Sequence, residues 1–135
     1  MKKTILLVDD NQDILDTLEI FLYNDYEIIT ALNGFEGLKK AETEAPDLIM
    51  TDIMMPVMDG IRFFNQISKN EAAKDIPIIA VTSFGHDITT DSLLNMGFFA
   101  VISKPFEKKT ITAAVKDALS GHKQQITGGQ KLSDE

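Results

Sequence analysis

Five short β-type runs recur along the chain, at residues 4–8, 26–30, 47–51, 77–82 and 100–103. Several are apolar almost throughout and lack the polar alternation of a half-exposed strand. That pattern predicts parallel strands covered on both faces. The segments between and after them read as helices. Ile14, Leu15, Leu18, Phe21 and Leu22 form one apolar stripe, Phe63, Phe64 and Ile67 a second, and Ile111, Val115 and Leu119 a third. The second and fourth helices are less amphipathic. Asp59-Gly60 suits the start of the third helix, with Asp59 as its N-cap, and Gly97 suits the end of the fourth. Repeated strand–helix units imply right-handed crossovers and a parallel sheet with helices on both sides. In such sheets functional groups gather at the carboxyl ends of the strands, near the topological switch point.

Length and composition narrow this picture. A chain of 135 residues with 44% hydrophobic and 25% charged residues suits one domain with a real core. No apolar run approaches the length of a membrane span. The opening MKKTILLVDD begins like a signal peptide, but paired Asp residues end the apolar stretch and no small-residue cleavage site follows, so it reads as a first strand. The absence of cysteine excludes disulfides, thiolate nucleophiles and Cys-based metal sites, in keeping with a cytoplasmic location. A net charge of −8 argues against nucleic-acid binding through a general basic surface and favours solubility. From about Gly121 the chain changes character: HKQQITGGQKLSDE has adjacent glycines and few apolar residues. Residues 122–135 are expected to be a flexible tail or a linker.

The strand ends carry the candidate chemistry. The first ends in Asp9-Asp10, the third in Asp52, the fourth in Thr82-Ser83 and the fifth in Ser103-Lys104-Pro105. Three carboxylates in one small pocket repel: at ~4 Å and an effective dielectric constant of ~20, each pair costs about 4 kcal/mol. A divalent cation offsets this. An all-oxygen ligand set favours Mg2+ over zinc, and Mg2+ keeps several waters, leaving it free to bridge to a phosphoryl oxygen. Singly, each residue has a plainer explanation: Asp9-Asp10 as a strand stop and helix cap, Asp52 as a turn cap, Thr82 as strand filler, Lys104 as a solvated rim charge. Their joint occurrence at strand ends carries the functional reading. His86 and His122 lie in weakly patterned segments and are assigned no role.

Together, the acidic pair, Asp52, the turn MPVMDG (Met55 to Gly60), Thr82 and the run Lys104-Pro105-Phe106 resemble the receiver domain of bacterial response regulators, over residues 1–121. The resemblance implies a doubly wound α/β fold, a flavodoxin-like three-layer sandwich whose five-stranded parallel sheet has the order 2-1-3-4-5. It implies that Asp52 accepts a phosphoryl group from the phosphohistidine of a histidine kinase or phosphotransfer protein. Asp9, Asp10, Asp52 and the backbone carbonyl of Met54 would hold Mg2+, Lys104 would contact the phosphoryl group, and Thr82 would hydrogen-bond it. The Lys104–Pro105 bond would be cis. The switched surface would be the fourth helix (residues 88–96), fifth strand and fifth helix, facing a downstream target, a fused output domain or a homodimer partner. Such a domain is a phosphoacceptor and not an enzyme in its own right, and binds neither nucleic acid nor membrane directly.

Some positions depart from the family pattern. Val101 stands where receivers commonly carry Tyr or Phe, three residues before the lysine, and Ser83 replaces the commoner Ala. Met54 and Phe84, two residues beyond Asp52 and Thr82, occupy positions that tune phosphoaspartate hydrolysis in the family. Two bulky apolar residues there should hinder an attacking water and give a long-lived phosphorylated state. Leu and Met in the fourth helix would make a dimer or partner face if exposed, and would otherwise pack on the sheet. Other functions fit less well. An Mg2+-dependent aspartyl phosphatase would place a second Asp where Met54 stands. A flavin module needs a Ser/Thr/Gly-rich loop where DDNQD lies, and no GxxxxGK[ST] loop exists for a nucleotide. A phosphorelay intermediate, or a receiver-like interaction module with weakened switching, remains the alternative, Val101 favouring the latter.

Overall fold

A computed structural model describes residues 1–83 and 89–121 and the backbone of residues 125–126. Strands β1 (Thr4–Val8), β2 (Glu27–Ala31), β3 (Leu48–Thr51), β4 (Ile78–Thr82) and β5 (Ala100–Ser103) alternate with helices α1 (Gln12–Leu22), α2 (Gly34–Glu44), α3 (Gly60–Ser68), α4 (Thr90–Met96) and α5 (Lys108–Leu119). All strand pairs are parallel, in the order β2-β1-β3-β4-β5. The opening residues that begin like a signal peptide form β1, as the pattern predicts. None of the described helices is long and apolar enough to cross a membrane.

The sheet separates two apolar layers, as strand side chains alternate between its faces. On one face Ile5, Leu7, Leu48, Met50, Ile79, Val81 and Ile102 pack against Leu15, Leu18 and Leu22 of α1 and Ile111, Ala114, Val115 and Ala118 of α5. On the other, Leu6, Val8, Ile49, Ile78, Ala80 and Val101 meet Ala41 of α2, Phe63 and Ile67 of α3, and Leu93 and Leu94 of α4. Leu93 and Leu94 therefore face the sheet, whereas Met96 is exposed, so the two arrangements divide between the apolar residues of this helix.

Local signals explain the helix boundaries. Asn11 caps α1, accepting from the Asp13 and Ile14 N–H groups, and Asn33 caps α2. Asp59 caps α3 by accepting from Arg62 N at 2.8 Å, as its place before Gly60 predicts. Thr89 and Ser92 form a reciprocal capping box at the start of α4, and Gly97 ends that helix at φ 123°.

At the sheet edge the structure adds a strand. Gln125–Ile126 (β6) lies parallel to β5, in the register Ala100↔Gln125 and Val101↔Ile126. The sequence pattern leaves this pair within an expected flexible tail over 122–135, because two residues are too few to show a strand period. The rest of that segment, with His122, lies outside the described residues, as do Phe84, His86 and Ile88.

Candidate functional site at the carboxyl edge of the sheet

The strand register brings the candidate residues together. Val8 pairs with Thr51, Thr51 with Ala80 and Thr82 with Ser103, so β1 and β3 end level with each other, and β4 and β5 end level two residues further on. The hydrogen-bond ladder then runs one residue further. Asp9 N donates to Ala31 O at 3.1 Å, Asp52 N to Val8 O at 2.9 Å and Lys104 N to Thr82 O at 3.0 Å. Each functional side chain thus leaves a backbone already fixed by the sheet.

Lys104 Nζ sits between two carboxylates, 3.0 Å from Asp9 Oδ2 and 3.2 Å from Asp52 Oδ2. Asp9 Oδ1 accepts from Asn11 N at 2.9 Å, and Asp52 Oδ1 accepts from Ile53 N at 2.7 Å and Met54 N at 3.3 Å. Asp9 and Asp52 are only 2% and 6% exposed, whereas Asp10 is exposed. Because Asn11 supplies the cap of α1, the acidic pair is not consumed in capping it. Burial pushes the Asp9 carboxyl above its ordinary value. The Asn11 N–H and the Lys104 ammonium oppose the rise, and the Asp52 charge adds to it. For Lys104, burial works to lower the pKa. The Asp9 hydrogen bond and the nearby carboxylate charges outweigh it, so the ammonium titrates above its usual value. Lys104 is therefore a firmly charged group over a mixed acidic pocket.

Asp9, Asp10 and Asp52 each offer an oxygen, and the three oxygens lie within 4.8 Å of one another. Oxygen-only donors at this spacing, two buried and one open to water, fit a hard divalent cation that keeps part of its hydration shell. Thr82 is fully buried at the end of β4, and its hydroxyl donates to Ser83 O at 3.1 Å. The Lys104–Pro105 peptide bond is cis. Val101 is buried within the layer formed with α2, α3 and α4. Met54 is 57% exposed, while its N–H donates to the Asp52 carboxylate.

Two features of the site escape a reading of residue types. The segment after Asp52 is anchored by Ile53, Met55 and Met58, which belong to the buried layer beneath α2 and α3. Met55 thus has a packing role. Gly60 is the tighter constraint: a Cβ there would lie 2.2 Å from the Asp52 carbonyl oxygen and 2.7 Å from Ile53 Cα. Gly60 N also donates to Ile53 O at 2.8 Å, so α3 begins directly against the backbone that follows β3. The DG pair in the sequence signals a helix start, but not this approach.

Known proteins resemble this chain. A family model described as the response regulator receiver domain matches residues 5–116. The chain is 35% identical over 136 residues to the alkaline phosphatase synthesis transcriptional regulatory protein PhoP of Bacillus subtilis, a match covering 100% of this chain and 56% of that protein. It is also 35% identical to the chemotaxis protein CheY of Halobacterium salinarum, over 89% of this chain and 99% of that one. Among solved structures, the receiver domain of the sensor histidine kinase PA1611 of Pseudomonas aeruginosa PAO1 superposes with a TM-score of 0.80 at 26% identity. That match covers 89% of this chain and 99% of the other, and the structure is described with a magnesium ion coordinated in its active site cleft. The chain thus spans all but the whole of CheY and about half of PhoP.

Proposed function

From the premise that this chain belongs to the response regulator receiver domain family, we propose that Asp52 is its phosphoacceptor, loaded from the phosphohistidine of a histidine kinase or phosphotransfer protein. The observation that carries this reading is Lys104 Nζ within 3.2 Å of both Asp9 and Asp52, with Asp10 close by. In-line transfer requires a nucleophile, neutralisation of charge and a fixed geometry. An Asp52 oxygen forms the new O–P bond as the donor's P–N bond breaks, and the imidazole nitrogen leaves with the electron pair. The Ile53 and Met54 N–H groups and the ladder bond to Val8 hold the carboxylate while this occurs. Lys104 supplies positive charge where the phosphoryl oxygens arrive. Asp9, Asp10 and Asp52, with the backbone carbonyl of Met54, would hold Mg2+, which supplies Lewis-acid stabilisation of the transferring phosphoryl group.

The phosphoryl group brings new acceptor oxygens into the pocket. Thr82 then exchanges its bond to Ser83 O for one to the phosphoryl group, and the surface of α4, β5 and α5 changes state. Pro105 fixes the direction of the lysine-bearing turn. Val101 replaces the aromatic readout with a buried aliphatic, so signalling relies on β4, β5 and their neighbours. On this reading residues 1–121 are the receiver, and residues 122–135 are a tail or linker. The domain is a signalling acceptor that assists its own phosphorylation and dephosphorylation but turns over no other substrate. It works in the cytoplasm, and its output goes to a protein target, a fused domain or a second copy.

The test is mass measurement after incubation with Mg2+ and acetyl phosphate. The wild type should gain one phosphoryl group and Asp52→Ala none; no adduct in the wild type, or an undiminished one in the variant, sinks the proposal. Followed over time, the same assay should show the adduct outlasting that of Met54→Asn, which presents a polar group to an attacking water. A wild-type adduct that decays faster than the variant's removes the shielding role of Met54.

A further inference from the structure

The outer edge of β5 is occupied by the chain itself. Gln125–Ile126 adds to it in parallel, placing Ile126 opposite Val101. The chain rises from β5 through α5 (Lys108–Leu119) and returns as β6, the crossover connection that a parallel sheet permits. Ile126 is the only large apolar residue between His122 and Gln130, and two glycines follow at 128 and 129. An edge strand otherwise presents unpaired N–H and C=O groups to any extended segment. β5 is also one strand from the switch hydroxyl: Thr82 pairs with Ser103, and Ala80 with Val101, across the β4–β5 ladder.

We propose that the β5 edge is a strand-docking site, that Gln125–Ile126 is its resident occupant while Asp52 is unphosphorylated, and that phosphorylation releases this segment. Occupancy stands on the pairing alone, whereas release rests on the phosphoacceptor reading of Asp52. The docked register coexists with Thr82 bonded to Ser83 O. Turning that hydroxyl towards a phosphoryl group displaces the end of β4. Because β5 is hydrogen-bonded to β4 on one side and β6 on the other, β6 is the element with least to hold it. It contributes two residues, whereas β5 pairs with β4 over four. The position of the missing aromatic is thus the position at which β6 joins the sheet.

The absence of native cysteine gives a clean background for the test. Directly opposed strand residues lie about 4.8 Å apart, within disulfide reach, while successive residues on one strand face opposite sides. In the full chain, Val101→Cys with Ile126→Cys should cross-link under mild oxidation, and Val101→Cys with Gln125→Cys should lag well behind. Equal rates for the two pairs overturn the register and with it the docking site. An independent arm avoids substitution in β5: Ile126→Pro removes a backbone donor, and amide exchange across 100–102 should quicken at least about 10-fold, the mark of a lost strand contact. Unchanged exchange also overturns occupancy.

Release is read by adding Mg2+ and beryllofluoride, with binding followed by fluorine NMR. The matched pair should then cross-link at least about 5-fold more slowly, the low end of ordinary coupling between sites. Bound beryllofluoride with an unchanged rate overturns release. Failure of beryllofluoride to bind overturns the phosphoacceptor reading and release together, while the metal-free arms still decide occupancy.

Discussion

The two faces of the sheet are built differently. The layer beneath α1 and α5 comes from regular elements: its buried side chains lie on β1, β3, β4, β5 and the two helices. The layer beneath α2, α3 and α4 also takes in Ile53, Met55 and Met58 from the segment between Asp52 and α3, Ala73 before β4, and Phe98 before β5. One face is therefore a scaffold, and the other is where the loop after Asp52 is tied down. Equal losses of packing on the two faces should then have unequal consequences at Asp52.

The largest effect is expected at Gly60. In Gly60→Ala the new methyl group meets the Asp52 carbonyl at 2.2 Å, so α3 or the segment after β3 must move. Displacements of about 1 Å at a reacting group cost roughly 100-fold in rate. The rate of phosphorylation by acetyl phosphate should fall by that order even where circular dichroism shows a folded chain, and a rate within 2-fold of wild type would break the link between α3 and the site.

Next come Leu15→Ala on the scaffold face and Met58→Ala on the loop face. Both remove a buried side chain, and each should cost about 2–5 kcal/mol in urea unfolding. At a temperature where both remain folded, Met58→Ala should slow phosphorylation and Leu15→Ala should leave it nearly unchanged. Met58 fills the notch at Gly34, where an added Cβ would come within 2.8 Å of its sulfur. Its loss therefore loosens the loop against α2 as well as the core. Equal slowing by both variants would show that the two faces do not divide the work.

The same division decides what can be seen in the sequence. The scaffold face is legible because Leu15, Leu18 and Leu22, or Ile111 and Val115, repeat at helical spacing and the strands are apolar runs. The candidate site is legible because its charged residues sit at the ends of such runs. The α2 layer is not, since Gly34, Gly37 and Ala41 make its buried side, and small residues pack closely without raising an apolar signal. Gly37 is an example: an added Cβ would sit 3.0 Å from Val8 and 3.1 Å from Phe63. α4 is short and held by the Thr89–Ser92 capping box rather than by a long stripe. The backbone approach of Gly60 to Asp52, and the pairing of residues 125–126 with β5, are long-range facts with no local period to announce them.

The acid pocket gives an effect that pH can dissect. Asp9 has a folded-state pKa above its ordinary 3.8, chiefly from burial. Its contribution is therefore fully present below the unfolded value and lost as pH rises through the folded one. At neutral pH the ionised carboxylate weighs against the metal-free fold. Asp9→Asn should raise the urea midpoint of the metal-free chain at pH 7, with Lys104 retaining Asp52 as a partner, and this advantage should shrink as the pH falls through the wild-type titration of Asp9. In Mg2+ at 100 times its Kd the wild type should gain about 2.7 kcal/mol, and the variant should lose most of that gain. Protonation of Asp9 should weaken Mg2+ binding to the wild type over the same range. A metal-free variant that is less stable than wild type at neutral pH would show that the Lys104 contact outweighs the burial of Asp9.

The smallest effect lies in the part of the loop that touches neither face. Met58 N donates to Pro56 O at 2.8 Å, closing a γ-turn on Val57 at φ 72°. This is the positive-φ form, rare and strained, and a β-branched side chain fits it poorly. Val57 is also 72% exposed, so its side chain recovers little by burial. Val57→Gly relieves the steric strain but frees the unfolded chain, and the net should be a stabilisation of about 0.5–1 kcal/mol in urea unfolding. Because Met55 and Met58 hold the loop from either side, the rate of phosphorylation should stay within 2-fold of wild type. A large change in rate with no change in stability would mean that the strained turn itself sets the position of Asp52, and that the loop is positioned from its exposed tip as well as from the core.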